Sequence, residues 1–240
     1  MSYLALAVVA GLASIERKGF LQAMLSRPVV LGTICGAVLG DVTTGLYVGA
    51  PLELLWLGAV NMGAALPVHE TLGTVSAVGA AILGLRGLEG AAAAAPPMAP
   101  AAAVLAIAAC APLASVGKRA DRLVERWNER LYDRAERLLA AGDAPAAARA
   151  NVHGLAWPLA IGAALAPAGA AVGALVVAAL LRRAPAATGP LVVAWVVFCG
   201  VACASGARTF RSHRAPAAFL GGMVAGLVVT AAATFARGAP

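Results

Sequence analysis

Apolar runs that are too long and too numerous for a soluble domain fill most of this sequence. Hydrophobic residues make up 61% of the chain and charged residues 12%, and the mean hydropathy is +0.86. Soluble domains are about 45–50% apolar. In lipid each segment must satisfy its own backbone polar groups, which helices do. We therefore predict an all-α, polytopic helical membrane protein.

The charges lie mainly at the ends of the apolar runs. The formal net charge is +7, and cations that flank apolar segments are typical of the cytoplasmic loops of membrane proteins. This arrangement does not indicate a nucleic-acid partner. We predict a single membrane domain over residues 1–240. Its parts are an N-terminal membrane block at 1–117, an amphipathic helix at 118–143 and a C-terminal membrane block at 152–236.

The first apolar run covers residues 2–15 and is followed by Glu16, Arg17 and Lys18. A signal peptide carries its positive charges before the apolar run, so this run is predicted to remain as a membrane segment. The next run, 28–40, has only 13 residues, whereas a span needs about 20. It is predicted to be a re-entrant or tilted half-segment. Further apolar segments are predicted at 71–88, 98–116, 152–181, 189–206 and 216–235.

Polar residues concentrate in one apolar stretch, residues 40–70, which reads GDVTTGLYVGAPLELLWLGAVNMGAALPVHE. Glu53 has no countercharge among its neighbours, and an ionisable residue inside a membrane is a functional-site hypothesis by default. Pro51 suits the first turn of a helix, which predicts a new helix there with Glu53 in its first turn. Trp56 and Asn61 then lie about 60° and 80° to either side of Glu53. Half-helices of this kind build transporter sites.

The same residues also admit a structural interpretation. Asp41 could cap the segment that starts at Val42, and Glu53 could sit against the positive end of a helix. Asn61 could join two helices by a hydrogen bond. The residues alone leave both interpretations open.

Residues 27–66 carry a specific family resemblance. They read RPVVLGTICGAVLGDVTTGLYVGAPLELLWLGAVNMGAAL. RP, LGD followed by TG, the G-x-x-LE turn and LG-x-x-N-x-GAA occur in the order and spacing of one family. The segment resembles the membrane-embedded IIC component of the mannose/fructose/sorbose family of the bacterial phosphoenolpyruvate-dependent sugar phosphotransferase system. Downstream, only the hydropathy layout and the position of His153 are similar.

The resemblance implies a multi-pass permease subunit that binds a hexose and moves it across the bacterial inner membrane. It also implies a complex with a second membrane subunit, IID, and we expect that IIC/IID complex to be a homo-oligomer in contact with membrane lipid. Cytoplasmic IIA and IIB subunits carry the phosphate in this family. We therefore expect this chain to be no enzyme and to use no cofactor or metal.

Site residues follow from the resemblance position by position. Asp41, Thr44, Glu53 and Asn61 fall on matching motif positions. Where the family tends to have Pro-Asp after its GAA, this chain has Val68-His69 followed by Glu70, so His69 and Glu70 are added as candidates. Trp56 or Tyr47 is expected to stack on the sugar ring.

Residues 118–143 contain the one strongly charged segment. Arg122, Arg126, Arg130 and Arg134 recur every four residues beside a stripe of leucine and tryptophan, which predicts an amphipathic helix. It could dock a cytoplasmic partner or anionic lipid, or it could be a connector whose charges neutralise one another. Either way it is predicted to mark the cytoplasmic side.

One rival function remains open at this point. A membrane scaffold or regulatory subunit could keep the fold and no longer transport sugar. It would tolerate changes at Glu53 and Asn61, whereas a permease would not.

Overall fold

The computed structural model describes residues 1–18, 23–58, 68–88 and 98–209, and the regular structure of these residues is helical. A short 3₁₀ turn at Pro185–Ala187 precedes the last described helix. The α-helices in chain order are α1 (Ser2–Lys18), α2 (Pro28–Val38), α3 (Val42–Trp56), α4 (Glu70–Arg86), α5 (Met98–Cys110), α6 (Pro112–Ala140), α7 (Ala144–His153), α8 (Ala156–Arg183) and α9 (Thr188–Thr209).

Helix α4 forms the core, because nearly all of its side chains are buried and it packs against α8, α5, α2, α3 and α1. Small residues allow these close approaches. A methyl group on Gly79 would lie 2.7 Å from Cβ of Ala170 on α8. The Ser76 hydroxyl donates to the carbonyl of Ala166 on α8 at 3.0 Å. Packing through small residues and interhelical hydrogen bonds is typical of membrane helices.

Helices α2 and α3 form a hairpin held at backbone contact by four glycines. Each helix carries one G-x-x-x-G pair, Gly32 and Gly36 on α2 and Gly45 and Gly49 on α3. A methyl group on Gly32 would lie 2.6 Å from the carbonyl oxygen of Gly45. The eleven residues of α2 extend about 16 Å, so the predicted short segment is a helix that cannot cross the membrane by itself.

The prediction that a new helix begins at Pro51 is wrong. Helix α3 is continuous from Val42 to Trp56 with Pro51 inside it, and Glu53 lies in its last turn. Proline inside a helix frees the carbonyl four residues earlier, here that of Tyr47. The indole N–H of Trp195 on α9 donates to this carbonyl at 3.0 Å. A residue distant in sequence therefore satisfies the group that Pro51 leaves unpaired, and the helix continues.

Three helical stretches in the described residues are long and apolar enough to cross a membrane, namely Met98–Ala140, Ala144–Arg183 and Pro185–Thr209. The first contains a break, since α5 ends at Cys110 and α6 begins at Pro112, where proline suits the first turn. Helix α6 thus starts before the predicted amphipathic segment and ends at Ala140. Its placement on the cytoplasmic side stays a prediction. The predicted segment at 216–235 lies outside the described residues.

Polar contacts mark the two ends of α4. At its first turn Glu70 approaches Arg27, and we call the region of Arg17, Arg27, Glu53 and Glu70 the Arg27 end. At its last turn Arg86 donates to the carbonyl of Leu39. Nearby, Arg182 donates to the carbonyl of Gly87. We call this second region the Arg86 end. Because Arg27 and Leu39 are the N-cap and C-cap residues of α2, the hairpin lies along most of the length of α4.

Candidate functional site

Arg27 joins two carboxylates that belong to different helices. Its Nε donates to Glu53 Oε1 at 2.8 Å, and its Nη2 donates to the same oxygen. Its Nη1 lies 3.7 Å from Glu70 Oε2. Arg27 is the N-cap residue of α2, Glu53 is in the last turn of α3 and Glu70 begins α4. Three helix ends therefore meet at one guanidinium.

The local sequence explains why Arg27 and Glu53 meet. Pro28 is the first residue of α2, and a residue before proline is restricted to extended backbone, as observed for Arg27 (φ −67, ψ 141). The first N–H groups of a helix have no partner within it. Glu53 Oε2 accepts from one of them, the N–H of Val29, at 3.3 Å. Glu53 thus lies at the positive end of α2.

The three side chains are largely shielded from solvent. Their exposed fractions are 25% for Arg27, 17% for Glu53 and 10% for Glu70. Two carboxyl groups share one guanidinium here, and a shielded carboxylate needs hydrogen-bond donors. The site therefore offers carboxylate acceptors and guanidinium donors at one place, which suits a ligand with several hydroxyl groups.

Glu16 holds the backbone that leads to Arg27. Its carboxylate accepts from the N–H of Leu25 at 3.3 Å and from the N–H of Ser26 at 2.9 Å. Glu16 is buried near the end of α1, so it fixes the segment before α2 to the first helix.

His69 belongs to a neighbouring polar cluster rather than to the Arg27 contact. Its Nδ1 accepts from the N–H of Leu72 at 3.4 Å and caps α4. In the neutral ring the proton is then on Nε2, which lies 4.0 Å from Asp121 on α6. Arg17 donates to Asp121 at 2.7 Å and to the carbonyl of Val68 at 3.3 Å. These contacts tie α1 and α6 to the start of α4.

Asp41 and Thr44 lie at the opposite end of α3 from Glu53. Asp41 caps α3 by accepting from the N–H of Thr44 at 2.9 Å, and it also accepts from the Thr44 hydroxyl at 2.6 Å. Glu53 lies twelve positions after Asp41, which is about 18 Å along a helix. The structure does not bring these two groups of candidates together.

The aromatic candidates are packed between helices. Trp56 lies against α4, where a methyl group on Gly73 would be 2.8 Å from its ring. The ring of Tyr47 meets that of Trp195 edge-on, with centroids 5.1 Å apart. Asn61 lies outside the described residues.

Comparison with known families decides what kind of protein carries this site. A family model described as "EII-Sor: PTS system sorbose-specific IIC component" matches residues 1–194. The chain belongs to this family. It is accordingly a multi-pass protein of the inner membrane, and the predicted family and the predicted all-α membrane fold are confirmed.

Individual IIC relatives match shorter parts of the chain. A "Putative N-acetylgalactosamine permease IIC component 2" of Escherichia coli is 40% identical over 78 residues, which is 32% of this chain and 58% of the relative. A "Fructose permease IIC component" of Bacillus subtilis is 38% identical over 72 residues, or 30% of this chain and 25% of the relative. These matches thus cover between about a quarter and three fifths of the length of the relatives.

A solved structure supports the fold over the whole chain. It is the cryo-EM structure of the mannose transporter ManYZ in complex with microcin E492. The likeness has a TM-score of 0.57 and 23% identity and covers 100% of this chain and 96% of the other. At this identity the likeness shows the fold of the IIC component and leaves its sugar and its partners to experiment.

Sequence reasoning missed one site residue and one feature of helix α4. Arg27 was noted only as part of a motif, yet it is the only Lys or Arg between Lys18 and Arg86, and that isolation was a usable signal. Thr71 and Thr74 follow Glu70 on α4 and are fully buried. Their hydroxyls have no hydrogen-bond partner within the described ranges, and nothing in the sequence distinguished them from ordinary helix residues.

Proposed function

We propose that this IIC component is the translocating subunit of a sugar phosphotransferase complex and that it binds a hexose at Glu53. The observation that carries the proposal is the meeting of Glu53 and Glu70 at Arg27. Sugar hydroxyls both donate and accept hydrogen bonds, so they match a carboxylate beside a guanidinium. Glu70 lies in the same site, and Trp56, one turn from Glu53 on α3, supplies an apolar face.

The other candidates have supporting parts in this proposal. Asn61 contributes its amide to the sugar. His69 caps α4 beside Glu70 and sets the start of that helix. Asp41 and Thr44 hold the far end of α3, and their effect on the sugar is indirect because about 18 Å of helix lies between them and Glu53.

The position of the site fits phosphorylation by a cytoplasmic partner. Glu53 lies at the Arg27 end of the molecule, where Asp121 on the charged helix α6 contacts Arg17. If the charged part of α6 faces the cytoplasm, as the positive-inside rule predicts, a IIB subunit reaches the sugar from that side. The proposed complex contains a IID membrane subunit and cytoplasmic IIA and IIB subunits.

Uptake measurements test the function. Cells that express the chain with IID, IIA and IIB partners are expected to accumulate at least one of four labelled sugars in a phosphoenolpyruvate-dependent manner: mannose, fructose, N-acetylgalactosamine or sorbose. Glu53→Gln should abolish this uptake, because glutamine removes the charge that pairs with Arg27 and one of the acceptors. Membrane levels of the variant should stay normal.

Glu125→Gln is the matched control. Glu125 pairs with Lys18 at 3.3 Å, but its side chain is 49% exposed, so its loss should leave uptake unchanged. Normal uptake by Glu53→Gln would contradict the proposed site. Absence of uptake for all four sugars in cells with the assembled complex would favour the scaffold or regulatory function.

A further inference from the structure

Most acceptor positions of Glu53 are occupied in the structure. Oε1 receives two N–H groups of Arg27, and Oε2 receives the N–H of Val29. An ionised carboxylate has about four lone-pair positions, two on each oxygen. Oε1 is therefore filled, and Oε2 has one position left. A sugar that uses Glu53 for two hydroxyl groups must displace at least one of these three donors. The Val29 N–H is fixed in the backbone of α2, whereas the two donors of Arg27 belong to a side chain that can move.

Glu70 provides a second position for the displaced guanidinium. Its Oε2 lies 3.7 Å from Nη1 of Arg27, about 1 Å longer than a charge-assisted hydrogen bond. Among the described residues, Arg27 is the ion-pair partner of Glu70 within 4.0 Å. Glu70 is fixed by its place in the first turn of α4. A small side-chain movement would thus complete the second ion pair.

We propose that Arg27 is a positioning residue that holds Glu53 in the sugar-free state and shifts to Glu70 when sugar binds. This inference rests on the proposed function of Glu53. In both states the guanidinium keeps a carboxylate partner, so neither state leaves a shielded cation unpaired, which would be strongly unfavourable. The affinity for sugar then depends on Glu70 as the alternative partner of Arg27.

The proposal and a purely structural role of Arg27 predict opposite changes in sugar affinity when Arg27 is removed from a variant that lacks Glu70. If Arg27 only ties α2 to α3, its removal weakens binding in every background. If Arg27 competes with sugar, its removal improves binding in a variant that has lost Glu70, since Arg27 would otherwise remain on Glu53. Because Arg27 and Glu70 interact directly, the effects of their substitutions on the binding free energy are expected to be strongly non-additive.

Direct binding separates the two roles. The full chain is purified with its IID subunit, and binding of labelled mannose, fructose, N-acetylgalactosamine and sorbose is measured for each variant. Glu70→Gln should raise Kd at least about tenfold, the scale of one charged hydrogen bond. The double variant Arg27→Gln/Glu70→Gln should bind more tightly than Glu70→Gln alone. Glu125→Gln should bind like the wild type.

Each result decides the question. Unchanged binding by Glu70→Gln, or binding by the double variant that is no tighter than that of Glu70→Gln, overturns the proposed shift of Arg27 and leaves the proposed function standing. Failure of the wild type to bind any of the four sugars overturns both. If the double variant does not fold, Arg27→Lys replaces Arg27→Gln. Lysine lacks the planar fork that occupies Glu53, so the Arg27→Lys/Glu70→Gln variant should still bind sugar more tightly than Glu70→Gln. If it does not, the proposed shift of Arg27 is overturned.

Discussion

At the scale of single residues, the buried hydroxyls of α4 differ in a way that stability should reveal. Thr74 Oγ1 has no hydrogen-bond partner among the described residues, whereas the Ser76 hydroxyl donates to Ala166 at 3.0 Å. A buried unpaired hydroxyl is unfavourable, and a buried paired one stabilises the fold. Thr74→Val should therefore raise the free energy of unfolding by about 1 kcal/mol, measured by thermal unfolding in detergent.

Ser76→Ala is the comparison for Thr74→Val. It should lower the free energy of unfolding by about 1 kcal/mol, because it leaves the Ala166 carbonyl without this donor. Both residues are fully buried on the same helix, so the comparison isolates the hydrogen bond. A clear destabilisation by Thr74→Val would mean that its hydroxyl has a partner outside the described ranges.

The residues of the site were only partly predictable. Glu53 could be selected because an isolated carboxylate in an apolar run is costly and therefore indicates a function. Glu70 could be selected because this sequence differs from the family motif at that point. Arg27 could have been selected from charge balance, since the sequence between Lys18 and Arg86 contains three carboxylates and a single Lys or Arg. No sequence pattern could show that Asp41 and Glu53 lie at opposite ends of one helix, because that depends on whether Pro51 ends α3.

At the scale of helices, the glycine contacts of the α2–α3 hairpin set the position of Arg27 relative to Glu53. A methyl group on Gly45 would collide with the carbonyl oxygen of Gly32, and both groups belong to the backbone and cannot rotate away. Gly45→Ala should therefore separate the helices, lower the free energy of unfolding by about 1–3 kcal/mol and reduce uptake. Unfolding is measured on the purified variant in detergent, and uptake is measured in cells that express the same variant.

Gly200→Ala on α9 is the matched control for the hairpin. A methyl group there meets no atom within 4 Å, and alanine is the better helix former by about 1 kcal/mol. This variant should be as stable as the wild type or more stable. Equal behaviour of Gly45→Ala and Gly200→Ala would show that the hairpin has room to adjust.

The helices themselves were predicted more successfully than their interruptions. The apolar runs at 2–15, 71–88 and 189–206 became α1, α4 and α9 with ends shifted by a few residues, because an apolar run in lipid has few alternatives to a helix. The prolines differ in their effect on the helices. Pro112 begins a helix, whereas Pro51 lies inside one, since Trp195 satisfies the carbonyl that it leaves free. Such tertiary compensation cannot be inferred from local sequence.

At the scale of the whole molecule, the positive charges are distributed unequally between the two ends of the bundle. The Arg86 end has Arg86, Arg182 and Arg183. The Arg27 end has Arg17, Lys18 and Arg27, and helix α6 adds seven Lys or Arg residues between positions 118 and 137. Orientation in a membrane follows the excess of Lys and Arg near the spans. The Arg27 end is therefore predicted to face the cytoplasm, which would put the Glu53 site on the side of the proposed IIA and IIB subunits.

Cysteine labelling tests this orientation in a chain whose native Cys35, Cys110, Cys199 and Cys203 have been replaced. Arg134→Cys on the charged part of α6 should react with a membrane-impermeant maleimide in inside-out vesicles and remain unlabelled in spheroplasts. Ala186→Cys, in the exposed turn after Arg183, should show the reverse pattern. The opposite result for both positions would put Glu53 near the outer surface. A sugar held there could not receive phosphate from a cytoplasmic IIB subunit without first crossing the membrane, so the proposed route would have to be abandoned even if Glu53 binds sugar.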